Sequence, residues 1–165
     1  MKLKIVAAAA VLVLAIASPF LFAQPKPAPD VAFTTLGGQT FRIADLRGQV
    51  VLVNFWATSC SSCIKEMPAL KDMQHKFQAR GYQTVAVAME YDPPARVAAF
   101  MLRNDLPFTF VLDHHGRIAR SFDDVRLTPT SFIVNRRGEI VHKLLGQPDF
   151  DRLHALIDKL LTEPT

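Results

Sequence analysis

Apolar and polar positions along the chain fall into segments whose composition and boundaries separate strands from helices. Residues 50–56 (VVLVNFW) are almost continuously apolar and rich in β-branched and aromatic side chains. This predicts a strand that is buried on both faces of a sheet. Residues 84–89 (TVAVAM) have the same character and predict a second buried strand. A helix over residues 61–80 is expected between them, because Gly81 is suited to a helix C-cap.

The rest of the chain continues to alternate between strands and helices. Proline is tolerated in the first turn of a helix, so Pro93 and Pro94 favour a helix that runs to about residue 104. Further strands are predicted over 31–35, 39–42, 108–112, 131–134 and 139–145, and further helices over 118–122 and 150–161. The order predicts an α/β fold with a central mixed sheet flanked by helices on both faces. Leu36-Gly37-Gly38 joins the first two strands as a hairpin, an N-terminal extension of that fold.

The N-terminal segment has a different pattern. Lys2 and Lys4 precede residues 5–22, an apolar run interrupted only by Ser18 and Pro19. A basic start followed by an apolar stretch is typical of an export signal, and an uncleaved run of this length can span a bilayer. We therefore predict a signal peptide or membrane anchor over 1–23, a proline-rich linker over 24–30, and one domain over 31–165. That domain is expected in the periplasm, either soluble after signal cleavage or anchored to the inner membrane by residues 5–22.

Composition narrows the possible partners. Half of the 165 residues are apolar and 21% are charged, which is ordinary for a single globular domain. The net charge of +4 comes from scattered basic residues that are not interleaved with aromatic ones. This pattern does not support nucleic-acid binding. The chain has no long dimerisation segment, so we expect a monomer.

The chain contains two cysteines, Cys60 and Cys63, separated by two residues. They follow the strand that ends at Trp56, and the next helix is expected to begin at or just after Cys60. Unpaired N–H groups and the positive end of the helix dipole favour a thiolate at that position. The thiolate is the form that attacks disulfides. Cys60 is therefore the predicted nucleophile, and Cys63, one turn into the helix, is the predicted resolving thiol.

Three alternative roles for the cysteine pair are less consistent with the sequence. A structural disulfide that closes so short a loop removes little chain entropy. A zinc site needs further ligands, and neither a second Cys-x-x-Cys nor a suitably spaced histidine supplies them. Two ordinary core cysteines this close together would not stay reduced in an oxidising compartment without a reductant. We expect no metal and no cofactor apart from the redox-active cysteine pair.

The ordered set of motifs around the pair resembles the thioredoxin superfamily, and more narrowly its TlpA/ResA-like group of periplasmic or membrane-tethered disulfide reductases. The resemblance covers roughly residues 29–161. It is carried by residues 48–57 (GQVVLVNFWA), the Cys-x-x-Cys, residues 66–70 (EMPAL), Thr128-Pro129-Thr130 and Gly146. It implies a thioredoxin-like fold and thiol–disulfide exchange.

The resemblance also implies roles for other residues. Pro68 matches the proline that kinks the active-site helix, and Pro129, after Thr128, matches the cis-proline that lies against the cysteine pair and presents backbone to substrate. Glu66 matches a glutamate that sits beside the thiols and influences their proton chemistry. From the residues alone, Pro129 is as well explained as an ordinary loop proline, and Glu66 as a solvent-facing helix residue.

Several positions depart from the pattern of the superfamily. Asn54 stands where classical members have a buried aspartate, as is usual in the TlpA/ResA-like group, so a general-base role shifts to Glu66 or water. Trp56 is retained in the lead-in, whereas Ser59 replaces a tryptophan common before the first cysteine. The dipeptide Ser61-Ser62 lacks the usual proline. Because this dipeptide helps to set the redox poise, no reduction potential can be transferred to this chain.

Four functions can be weighed for the cysteine pair in such a fold, and the sequence agrees with the motifs of only the first two. The leading one is a reductase of disulfides in exported proteins, in cytochrome c or copper-site maturation, re-reduced by a membrane electron donor. A disulfide oxidase uses the same motif with the opposite poise. A peroxiredoxin requires Pro-x-x-x-Thr-x-x-Cys, whereas Val53 and Ala57 occupy those places. A thioredoxin-like copper metallochaperone needs Cys-x-x-x-Cys and a distant histidine, for which His142 is the candidate.

Overall fold

The computed structural model describes residues 25–165, so the predicted signal or anchor over 1–23 lies outside the described residues. The strands are β1 (Lys26–Pro27), β2 (Phe33–Thr34), β3 (Thr40–Phe41), β4 (Val50–Trp56), β5 (Tyr82–Ala88), β6 (Thr109–Leu112), β7 (Thr130–Val134) and β8 (Glu139–Leu145). The helices are α1 (Ser61–Phe77), α2 (Pro94–Asn104), α3 (Arg117–Ser121) and α4 (Phe150–Thr162), with 3-10 turns at Ile43–Leu46 and Gln78–Arg80. Within residues 25–165, no helix is long and apolar enough to cross a membrane.

Six strands form one mixed sheet in the order β1-β8-β7-β4-β5-β6. The pairs β4–β5 and β5–β6 are parallel, and β4–β7, β7–β8 and β8–β1 are antiparallel. Phe55 near the end of β4 is paired with Thr130 at the start of β7, and Thr130 with Leu145 at the end of β8. The ends of β4, β5, β6 and β8 and the start of β7 therefore lie at one edge of the sheet. We call this the C-terminal edge of β4.

The period-two geometry of β4 divides the interior into two cores. Val50, Leu52 and Trp56 face a core that α1, α2 and α4 cover. Val51, Val53 and Phe55 face a second core formed with the N-terminal hairpin and α3. All seven residues of β4 are buried, which explains why its sequence is almost continuously apolar. The predicted mixed sheet with helices on both faces is confirmed.

Helix α1 gives way to a 3-10 turn, and Gly81 follows at φ 91° as its left-handed C-cap. A left-handed residue at this position is most easily supplied by glycine. The helical segment therefore ends where the sequence predicts, although its last residues are 3-10 rather than α.

The N-terminal part of the domain differs most from the sequence-based expectation. Within the predicted linker, Lys26 and Pro27 form β1 and pair with Ile140 and Glu139 of β8. Proline is compatible with this position because β1 is an edge strand and needs no second ladder partner. The predicted hairpin is present, but its strands are two residues each and form a separate sheet. A single bridge from Thr35 to Val111 connects this hairpin to β6.

Candidate active site

The cysteine pair lies at the C-terminal edge of β4, where a short loop leads into α1. Cys60 is the N-cap of α1, and its sulfur accepts a hydrogen bond from the backbone N–H of Cys63 at 3.2 Å. The two residues form a disulfide with a Cα–Cα distance of 5.3 Å. The hydroxyl of Ser62 lies 3.4 Å from the Cys60 sulfur. The structure thus shows the oxidised pair of a dithiol site.

The two cysteines differ in their access to solvent. Cys60 is partly exposed at the start of the helix, whereas Cys63 is 0% exposed and packs in the core with Trp56 and Met67. Only Cys60 has both access to a bulky disulfide and the free N–H groups of a helix N-terminus. This asymmetry is what the predicted roles of attacking and resolving thiol require.

A buried aspartate fixes the loop before Cys60. The carboxylate of Asp92, 5% exposed, accepts hydrogen bonds from the backbone N–H and the hydroxyl of Thr58, both at 2.6 Å. The backbone N–H of Met89 donates to the carbonyl of Trp56 at 3.0 Å. The segment after β5 therefore holds both the end of β4 and the β4–α1 loop, and it restricts where Cys60 can move.

We expect Asp92→Ala to destabilise the protein by about 1–3 kcal/mol, because Thr58 loses both acceptors for its partly buried donors. Guanidinium unfolding measures this loss. Alkylation of reduced Cys60 should also slow as the loop loosens. The matched control is Asp92→Asn, which keeps one side-chain acceptor. Its free energy of unfolding should lie between those of wild type and Asp92→Ala. Equal stability of Asp92→Ala and wild type would show that the Thr58 contacts contribute nothing.

A second polar cluster lies inside the core beneath the cysteines. Asn54 of β4 donates from Nδ2 to Oε1 of Glu66 at 2.9 Å and to Oγ of Ser131 at 3.0 Å. All three side chains are at most 4% exposed. Glu66 and Cys63 are three residues apart in α1 and both are buried, so they share the helix face that packs on the sheet. Glu66 is thus not a solvent-facing residue.

Burial determines the protonation of Glu66. Desolvation raises the pKa of its carboxyl from 4.5 to about 7, and the hydrogen bond from Asn54 only partly opposes this shift. Oε2 of Glu66 and Oδ1 of Asn54 have no hydrogen-bond partner within the described residues. A carboxyl group with a pKa near neutrality can both hold and release a proton at physiological pH.

The loop before β7 lies at the same edge of the sheet as the cysteine loop. The Thr128–Pro129 peptide bond is cis, and Pro129 is buried. The carbonyl of Pro129 accepts from the backbone N–H of Gly146 at 2.8 Å, which ties the loop to the end of β8. Because Phe55 pairs with Thr130, the loops that carry Cys60 and Pro129 come from neighbouring strands.

Pro68 and Trp56 lie next to the site, one in α1 after the cysteines and the other at the end of β4 before them. Pro68 lies inside α1 and is exposed. It has no N–H to donate to the carbonyl of Ile64, so the helix loses one bond just after the site. Trp56 is 0% exposed, and its ring lies 5.1 Å from that of Phe100 and 5.8 Å from that of Phe110. The packed indole closes the core beneath the cysteine loop.

Comparison with known proteins assigns the family. Residues 25–143 match the model of the AhpC/TSA family. The chain belongs to the AhpC/TSA family. It is 30% identical over 135 residues to the thiol-disulfide oxidoreductase ResA of Bacillus cereus, covering 82% of this chain and 77% of the relative. It is 32% identical over 119 residues to ResA of Geobacillus kaustophilus, covering 72% and 67%.

A solved structure is similar to this chain in both fold and sequence. It is a thiol:disulfide interchange protein of the thioredoxin family from Chlorobium tepidum, with a TM-score of 0.76 and 25% identity. The superposition covers 85% of this chain and 99% of the other. Together with the Cys60–Cys63 disulfide, these relatives establish a thioredoxin-like thiol–disulfide oxidoreductase similar to the TlpA/ResA group.

Sequence reasoning missed two residues of the site. Asp92 follows a predicted strand, and Ser131 begins another. Acidic or hydroxyl side chains at such positions are common and carry no specific signal. Their functions depend on contacts with Thr58, 34 positions away, and with Asn54, 77 positions away. His142, the candidate metal ligand, lies exposed on β8 opposite Ile133, away from the edge that carries Cys60.

Proposed function

We propose that this enzyme reduces disulfides of exported proteins, with Cys60 as the attacking thiol and Cys63 as the resolving thiol. The observation that carries the proposal is the asymmetry of the pair. Cys60 is partly exposed at the N-terminus of α1, whereas Cys63 is fully buried behind it. An incoming disulfide has access to the first sulfur and not to the second.

The chemistry follows from this arrangement. The Cys60 thiolate attacks one sulfur of the substrate disulfide, forms a mixed disulfide, and releases the other substrate sulfur as a thiolate that takes up a proton. Cys63 then loses its proton and attacks Cys60. The second substrate thiol leaves, and the Cys60–Cys63 disulfide forms. Two electrons and two protons from a membrane electron donor regenerate the dithiol. The disulfide is the only redox group that these steps need.

Glu66 is proposed to accept the proton of Cys63 and to return it. Both groups are buried on one face of α1, and the pKa of Glu66 lies at about 7. Its carboxylate can accept the Cys63 proton when the mixed disulfide is resolved, and return it when the pair is reduced. Asn54 cannot take this role, since an amide has no proton to exchange near neutral pH. Asn54 orients Glu66 through the 2.9 Å hydrogen bond.

Substrate is proposed to bind as an extended segment along the loop of Thr128 and Pro129. No backbone hydrogen bond engages Thr128 within the described part of the chain, so its N–H and C=O are available to an added strand. Leu127, 63% exposed, lies beside it and offers an apolar contact.

The enzyme is proposed to act as a monomer in the periplasm, either soluble after cleavage of residues 1–23 or tethered to the inner membrane by residues 5–22. Lys2 and Lys4 before the apolar run support this placement. The substrates are exported proteins with disulfides, of the kind found in cytochrome c or copper-site maturation.

The direction of electron flow and the location can be tested together by thiol labelling in cells that express the full chain, with the released periplasmic fraction and the spheroplasts both labelled and analysed. A membrane-impermeant maleimide should modify Cys60, because a reductase is kept reduced outside the inner membrane. The Cys60→Ser/Cys63→Ser variant controls for background labelling. Labelling only after detergent lysis would contradict export. Labelling only after prior treatment with a reductant would show a pair that is kept oxidised, as in a disulfide oxidase.

A further inference from the structure

A groove next to the cysteine loop has a chemical character that the exchange reaction does not explain. It encloses about 550 Å³ between the start of α1 and one face of α2. Its residues are Thr58, Ile64, Ala95, Arg96, Ala99, Phe100 and Arg103. The backbone N–H of Ile64 donates to the carbonyl of Cys60 at 3.1 Å, so the groove begins one helical turn from the attacking sulfur.

The floor of the groove is apolar. Ile64, Ala99 and Phe100 are each partly exposed. Ile64 and Phe100 also pack against the large core, and the ring of Phe100 lies 5.1 Å from that of Trp56. Thr58 closes the end nearest Cys60, and its contacts to Asp92 fix it there. A pre-formed apolar depression with one rigid end suits a side chain of a bound polypeptide.

The rim of the groove is basic. Arg96 and Arg103 are exposed, and within residues 25–165 neither forms an ion pair or a side-chain hydrogen bond. Other arginines of the domain do pair with carboxylates, as Arg80 with Asp158 and Arg137 with Glu139. No acidic residue lines the groove. The two guanidinium groups are therefore free to pair with acidic groups of a partner.

We propose that this groove binds an acidic segment of the disulfide-bearing protein, with an apolar side chain on the floor and two carboxylates on Arg96 and Arg103. This rests on the proposed function and deepens it, since it specifies the chemistry of the partner. Seven residues of α-helix separate the arginines, which is about 10 Å. Two carboxylates three residues apart on a segment in the polyproline II conformation lie on the same side of the chain, and they are about 9 Å apart. Pairing at such a rim mainly increases the association rate and selects among partners.

The probes are two peptides, each with a cysteine held as a mixed disulfide with thionitrobenzoate. In the acidic peptide the cysteine is followed by Gly-Ser-Glu-Leu-Ser-Glu, and in the neutral peptide both glutamates are glutamine. The fully reduced full chain is mixed with each, and the absorbance of released thionitrobenzoate gives the second-order rate constant. We expect the acidic peptide to react about tenfold faster at low salt, and this preference to shrink as added salt screens the charges.

Charge reversal tests the assignment to the groove. Arg96→Glu/Arg103→Glu should abolish or invert the preference while leaving the rate with the neutral peptide near wild type. The matched control is Arg47→Glu/Lys159→Glu, which changes the net charge equally. Arg47 precedes β4 and Lys159 lies near the end of α4, so both are far from Cys60. This control should keep most of the preference. Ala99→Phe fills the floor of the groove and leaves the net charge of the protein unchanged. It should lower the rate constant for the reaction with the acidic peptide.

The outcomes separate this proposal from the proposed function. If wild type reacts with neither peptide, the disulfide-exchange function itself fails. If it reacts with both at equal rates, or if the control variant loses the preference as fully as the groove variant, the groove proposal is wrong. Equal peptide rates, combined with binding to phosphatidylglycerol vesicles that the groove variant lacks, would assign the arginines to an anionic membrane surface instead.

Discussion

Cys63→Ser is expected to accumulate mixed disulfides with exported proteins, whereas Cys60→Ser should trap almost nothing. The serine variant at position 63 keeps the partly exposed Cys60 at the helix N-terminus, so it can still attack. It lacks the thiol that displaces the substrate, and the covalent complex persists. Affinity purification under non-reducing conditions, followed by reduction and mass spectrometry, would detect and identify the trapped proteins.

The control for trapping is the variant with both cysteines replaced, which gives the background of non-specific partners. The two single variants should differ in an all-or-none way in the amount of trapped protein. Cys63 is 0% exposed, so its sulfur is not accessible to the disulfide of a folded substrate. Trapping by Cys60→Ser rather than by Cys63→Ser would reverse the assigned roles.

Glu66 is expected to make the stability of the oxidised protein depend on pH. Its pKa is about 7 in the folded protein and about 4.5 in the unfolded chain. Between these values the folded state binds the proton more tightly, so the free energy of unfolding falls as pH rises. Below about pH 4.5 the carboxyl is neutral in both states, and its favourable contribution is fully present. The loss should total roughly 3 kcal/mol and be complete near pH 7.

Glu66→Gln should remove this dependence, because the amide stays neutral at every pH. Guanidinium unfolding of both proteins from pH 4 to pH 8 gives the difference, in which the titration of all other groups cancels. The stability of the variant relative to wild type should rise by roughly 3 kcal/mol across this range. Glu90→Gln, at an exposed position after β5, is the matched control and should run parallel to wild type. Parallel curves for Glu66→Gln would mean that Glu66 titrates normally.

Much of the fold could be predicted because its central strand and first helix carry strong local signals. Residues 50–56 are apolar at every position but one, since both faces of β4 are covered. The helix after Cys60 ends near Gly81, where a left-handed conformation is required. Cys60 and Cys63 can be recognised because their spacing and their place after a buried strand are both specific.

The remaining features depend on contacts between distant parts of the chain. Lys26 and Pro27 give no strand signal, and β1 exists because the edge of β8 offers them a pairing partner. The short hairpin strands are held by stacking of Phe33 on Phe41, at 5.3 Å between ring centroids, more than by a long ladder. The pairing of Asp92 with Thr58 likewise depends on how β4 and β5 align, which no local pattern encodes.

The reduction potential of the Cys60–Cys63 couple tests the reductase assignment most directly. Strong oxidants owe their high potential to a stabilised dithiol form. Here stabilisation of a thiolate is confined to Cys60 at the N-terminus of α1, because Cys63 is buried and close along α1 to a carboxyl that disfavours a second negative charge. The measurement is equilibration with glutathione or dithiothreitol redox buffers, with thiol labelling to count reduced protein. We expect a value near that of thioredoxin, about −270 mV, and a value near about −120 mV would contradict a reductase.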